Sequence, residues 1–77
     1  MEKELLSRIT ANPKVCGGKP CVRGMRIRVV DVLELLAAGL SAKQIVSEEL
    51  PSLEEADVTA CLIYAASKVN HPVLIAA

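Results

Sequence analysis

Three cysteines, one histidine and a run of carboxylates are the side chains of this sequence that could do chemistry. Cys16 and Cys21 flank a turn and are close enough in sequence to face each other across a hairpin. A zinc centre needs further ligands, and Cys61 and His71 fall on a separate helix and at its end. All three cysteines therefore read as small buried hydrophobes. His71, beside Pro72, reads as a helix-terminal residue favoured by the helix dipole. Gly17-Gly18-Lys19 has the composition of a phosphate cradle but lacks the further glycine spacing, the Ser/Thr after the lysine and a helix opening there. Glu54, Glu55 and Asp57 are explained as favourable charges at a helix start. No Ser/His/Asp or Cys/His set is evident, so catalysis, a metal and a cofactor are not expected.

Positive charge is the other resource. Residues 1–30 carry seven Lys/Arg against two Glu, 7 − 2 = +5, and the remainder carries two Lys against seven carboxylates, 2 − 7 = −5. One reading gives the basic end an anionic partner such as nucleic acid, contacted by Lys14, Lys19, Arg23, Arg26 and Arg28, with Lys43 added from a later helix. The other pairs the basic end with the acidic end of its own subunit or a neighbour.

The elements that must position these groups change character at residue 29. Before it, Asn12-Pro13, Gly17-Gly18, Lys19-Pro20 and Gly24 punctuate short apolar pieces at Ile9, Val15-Cys16 and Cys21-Val22. Such a stretch cannot propagate a helix and predicts short strands, with a hairpin turn around Gly17 to Pro20. After it, Val29, Val32, Leu33, Leu36 and Leu40 recur at helical spacing, with Asp31 and Glu34 early and Gly39 as the stop. Ser41 and Gln44 form a capping box for a second helix, whose inner face is Ile45 and Val46 and which ends at Pro51. Ser52 and Glu55 form the predicted box for a third, running to Lys68 or Asn70 before the His71-Pro72 break.

Between residues 58 and 66 that third helix offers polarity only at Thr59 and the tip of Tyr64. A helix apolar on every side must be covered on every side. With 77 residues and 1% aromatics the chain has a small aliphatic core. A homodimer is therefore expected, with Val58, Cys61, Leu62, Ala65, Ala66 and Val69 at the interface; the alternative is that the N-terminal hairpin and the tail 73–77 cover the helix. The odd cysteine count and the charged opening residues predict a cytoplasmic protein without a signal peptide or membrane span. The expected fold is mainly α, one domain over 1–77: a β-hairpin segment at about 7–28, three helices in a helix-turn-helix-like bundle at about 29–70, and a tail at 71–77.

Asn12-Pro13, the block Gly17-Gly18-Lys19-Pro20-Cys21-Val22-Arg23-Gly24, Arg26-Ile27, Val29, Leu36-Ala37-Ala38-Gly39-Leu40-Ser41, Leu50-Pro51, Leu53 and Tyr64-Ala65 together resemble the DUF433 family. That resemblance implies a homeodomain-like helix-turn-helix preceded by a small β-segment, usually dimeric. It also implies an antitoxin of the VapB45-like kind, binding a PIN-like ribonuclease toxin, with operator DNA as a second ligand. Met25 stands where the family commonly has Thr, and Arg28 where Pro is common. The competing expectation is a protein-interaction module that does not touch DNA.

Overall fold

A computed structural model of the chain describes residues 2–69. Its order is a short helix α1 (Glu2–Leu6), strand β1 (Ile9–Thr10), a 3-10 turn (Cys16–Gly18), strand β2 (Cys21–Val22), α2 (Val29–Ala37), α3 (Ala42–Gln44), a π-helical turn (Ile45–Glu49) and α4 (Glu55–Lys68). The described residues are thus mainly helical with one two-stranded antiparallel sheet. No helix of the described residues is long and apolar enough to cross a membrane.

The β-segment is present but is not a tight hairpin. Ile9 pairs with Val22 and Thr10 with Cys21, so the residues between Thr10 and Cys21 form a wide loop rather than two ladder arms. Within it, Val15 bridges only Asn12, and Lys19 N–H closes the 3-10 turn on the Cys16 carbonyl at 3.2 Å. Cys16 therefore faces no ladder partner, and Cys21 lies opposite Thr10. Pro20 cannot donate, yet its carbonyl accepts from Val29 N–H at 3.0 Å and so ties the loop to the start of α2. The N-terminal helix α1, which lies against α4, had no counterpart in the periodicity.

α2 spans the expected run and stops as expected. Gly39 takes φ 101°, a conformation that costs a residue with a Cβ, and the chain turns there into Ser41. The Ser41 capping box forms, with Gln44 N–H donating to Ser41 Oγ at 3.1 Å and Ser41 N–H donating to Gln44 Oε1 at 2.9 Å. The second helix then widens: Leu50 N–H reaches the Ile45 carbonyl, five residues back, at 2.7 Å. Leu50 cannot remain helical because Pro51 follows, and it sits at φ −131°, ψ 72°. Leu53 N–H closes a β-turn on the Leu50 carbonyl at 3.0 Å.

The third helix starts two residues later than the sequence predicts. Ser52 is part of the Leu50–Leu53 turn, and the extended residue before the helix is Glu54, whose N–H donates to Asp57 Oδ2 at 2.8 Å. Both alternatives offer a carboxylate three residues on, Asp57 or Glu55, but Asp57 is also held by the guanidiniums of Arg8 and Arg23, which fixes the start at Glu54. α4 ends at Lys68, and the His71-Pro72 break and the tail 71–77 lie outside the described residues. Val22, Val29, Val32, Ile45, Leu53, Val58 and Cys61 form the buried core, so β2, α2, the π-helical turn, the Leu50–Leu53 turn and α4 contribute to one small aliphatic cluster.

Candidate functional site

The two ends of α4 carry the polar and apolar features that a partner could meet. At its N-terminal end lies a charged cluster that the β-ribbon builds. Because Ile9 pairs with Val22, Arg8 and Arg23 stand opposite each other one step further along the ribbon, and Arg23 N–H donates to the Arg8 carbonyl at 2.7 Å. Two like charges opposite each other on antiparallel strands repel. Here both guanidiniums converge on Asp57, which is fully buried. Arg8 Nη1 donates to Oδ1 at 2.9 Å, Arg23 Nε to Oδ1 at 3.0 Å and Arg23 Nη2 to Oδ2 at 2.7 Å. With the Glu54 N–H, four donors fill the carboxylate. Arg8 also reaches Glu54 Oε1 at 2.8 Å, and Arg23 Nη2 reaches the Ser52 carbonyl at 3.2 Å.

This geometry fixes the ionisation. Burial alone would favour a neutral Asp57, but the forked Arg23, the Glu54 N–H and Arg8 together hold its carboxyl below its ordinary value. The cluster also explains why Arg23 tolerates φ 47°, a left-handed backbone unfavourable for a residue with a Cβ. Gly24 follows at φ 74°, and its N–H is taken by Thr10 Oγ1 at 2.9 Å, so the turn is fixed on both strands.

A second pair neutralises Arg28. Asp31 accepts from the Arg28 N–H at 3.1 Å and from its guanidinium at 2.8 Å, closing the N-terminus of α2. The Arg28 side chain holds the Asp31 carboxyl below its ordinary value. Of the six cations proposed from sequence to meet nucleic acid, Arg23 and Arg28 are therefore already spent on carboxylates of the same chain. Lys14, Lys19, Arg26 and Lys43 form no ion pair among the described residues, and all four are exposed.

The proposed interface residues divide in the same way. Val58 and Cys61 are buried in the chain's own core and are removed from any interface, because the inner face of α4 turns toward β2, α2 and Ile45. Burial pushes the Cys61 thiol up to about 11, with the nearby Asp57 charge adding to it. Burial also raises the Cys21 thiol, with neighbouring Cys16 as a further cause. The outer stripe of α4 is open: Glu55, Thr59, Leu62, Ala66 and Val69 are exposed at alternating four- and three-residue steps. Leu62 and Val69 are 48% and 66% exposed, and Val30 on α2 is 43% exposed. Ala65 is half-buried on the flank of α4.

That flank borders a groove of about 430 Å³ between Pro20, the start of α2 and the end of α4. Val29, Val30, Leu33 and Val69 supply apolar surface, and Lys19, Arg28 and Lys68 stand around it. No group of three or more His, Cys, Asp or Glu with metal-binding geometry occurs among the described residues. The Asp57 cluster is closed and the groove is open, so only the second can accept anything without first breaking the fold.

Sequence reasoning named Leu62, Ala66 and Val69 together with the buried Val58 and Cys61 without separating the two sides of the helix, and it missed Arg8 and the fate of Asp57. The signal existed in the equal and opposite charges of the two halves, which fitted an internal pairing as well as an external one. A family model described as "Protein of unknown function (DUF433)" matches residues 9–65. The chain is 40% identical over 57 residues to "Uncharacterized protein y4eO" of Sinorhizobium fredii, covering 74% of this chain and 25% of that protein. This chain thus spans about a quarter of the length of that curated relative. No solved structure matches.

Proposed function

This chain belongs to the DUF433 family, and we propose that it works as an antitoxin-like, homodimeric protein-binding module rather than as an enzyme. Its partner in this reading is a PIN-like ribonuclease toxin. The observation that carries it is the outer stripe of α4: Leu62, Ala66 and Val69 stay exposed after the ribbon and the other helices have packed. Contiguous aliphatic surface of this kind on a small domain marks a macromolecular interface. Thr59, Leu62, Ala66 and Val69 also fall on the first and fourth positions of successive heptads, the spacing on which one helix packs against another.

Operator DNA is a second ligand in this proposal, with α2, the Gly39 turn and α3 as a homeodomain-like helix-turn-helix. The internal ion pairs weaken this half and favour the module without DNA contact. Arg23 and Arg28 are neutralised, and Glu54 and Glu55 stand exposed at the start of α4, where phosphates would be repelled.

Co-expression with the product of the adjacent gene tests the protein half: a complex that survives gel filtration is expected, and a product that elutes alone contradicts it. Titration of upstream operon DNA at about 50 to 200 mM salt tests the other half. Of the six cations assigned to phosphate, the four that form no ion pair among the described residues correspond to a slope of log affinity against log salt of about −4 per protomer. No binding at the low-salt end removes DNA from the function.

A further inference from the structure

The groove at the end of α4 has a definite chemistry. Its size, about 430 Å³, lies within the range of roughly 300–1,000 Å³ in which pockets bury a ligand. Val30, Leu33 and Val69 line it with branched aliphatic carbon, and its charged lining residues are all cations: Lys19, Arg28 and Lys68. Arg28 is shared with Asp31, whereas Lys19 and Lys68 pair with no carboxylate among the described residues. Lys68 is also placed, because its ammonium lies 5.3 Å from the centroid of the Tyr64 ring, one turn back on α4.

We propose that this groove captures a short segment of a partner polypeptide presenting two or three aliphatic side chains beside a carboxylate. The proposal rests on the protein-binding reading above and names the chemistry that the partner must offer. Charge selects the segment: an acidic residue at the rim meets the unpaired Lys19 on the loop and Lys68 on α4, while a basic one is repelled by the same two. Continuity selects a polypeptide over a small carboxylic acid. The apolar wall runs from Val29, Val30 and Leu33 on α2 across to Val69, so an extended segment is held along it and ends where the stripe assigned to self-association begins.

The test is an amide-resolved NMR titration of the full chain with two blocked tetrapeptides, acetyl-Glu-Leu-Val-Leu-amide and its twin with Lys in place of Glu. Saturable shifts are expected at Val30, Leu33 and Val69, with the Glu peptide bound roughly tenfold more tightly than the Lys twin at low salt. A variant with Lys19→Glu and Lys68→Glu together, both on exposed positions, should keep a dispersed spectrum and reverse that preference. Equal binding of the two peptides overturns the proposal, as does a response confined to the Asp57 end of α4. So does the absence of saturable shifts up to about 5 mM peptide, including the case in which residues 70–77 of the chain occupy the groove. Peptide failure alongside an intact toxin complex removes the groove alone. Peptide binding with no toxin complex removes the antitoxin reading and leaves the groove.

Discussion

The two ends of α4 use the same kinds of residue for opposite purposes. At the first turn, Arg8, Arg23 and Asp57 meet in a site where every lone pair of the carboxylate is filled, and the cations serve the fold. At the last turns, Lys19 and Lys68 stand beside Val30 and Val69 with no carboxylate partner among the described residues, and both charge and apolar surface face outward. The difference teaches that a basic segment is not by itself a binding footprint. What decides is whether an acidic side chain of the same chain lies within reach, and here the register of one two-residue ribbon settles that for Arg8 and Arg23.

The largest effect is expected where the comparison is sharpest. Asp57→Ala leaves two guanidiniums facing each other at the base of the ribbon. Unfolding in urea should show a loss on the order of 3 kcal/mol, the lower end for a broken buried pair because both arginines retain some solvent access. A loss below about 0.5 kcal/mol would place the cluster among ordinary surface pairs. The same group sets an acid limit. Its folded carboxyl titrates below the unfolded one, so its contribution is complete above the ordinary carboxylate pKa of about 4 and is lost as pH falls through the depressed folded value. Asp57→Ala should flatten the acid limb of the stability curve.

Next in size is the inequality between the two arginines. Arg23 makes a forked contact, bonds a carbonyl and holds a left-handed backbone, whereas Arg8 gives Asp57 one bond and shares its guanidinium with exposed Glu54. Arg23→Ala should lower the urea midpoint clearly more than Arg8→Ala does. Equal losses would mean that the fork adds nothing.

Much of the helical half was legible. Gly39, the Ser41–Gln44 box and the end at Lys68 follow from local rules, because caps and stops are settled by neighbours three or four residues away. The start of α4 was misplaced because Ser52 and Glu55 fit a capping box as well as Glu54 and Asp57 do. The choice was made by Arg8 and Arg23, 49 and 34 residues distant from Asp57, which no local pattern reveals. The N-terminal helix was missed for the converse reason: five residues hold no period, and packing on α4 makes them helical. Likewise, apolar sequence all round α4 concealed which side was inside. Val58 and Cys61 looked equivalent to Leu62 until the positions of Val22, Val32 and Ile45 were known.

A smaller effect separates the cysteines. Cys61 is fully buried with its thiol pushed up to about 11, and Cys21 is buried as well, while Cys16 is half-exposed in the loop. Alkylation of the native chain at neutral pH should modify Cys16 well before the other two, read by mass spectrometry after digestion. Early modification of Cys61 would show that the inner face of α4 opens readily.

The smallest effect on the fold should be the most telling for function. Leu62→Glu lies on the open stripe of α4, so the variant should stay folded, its urea midpoint lower only by the concentration-dependent stabilisation that association adds. Light scattering at micromolar concentration is then the direct measurement. The unaltered chain of 8.2 kDa should scatter as a dimer and the Leu62→Glu chain as a folded monomer. A monomeric unaltered chain, or a variant that remains dimeric, contradicts the assignment of this face to self-association.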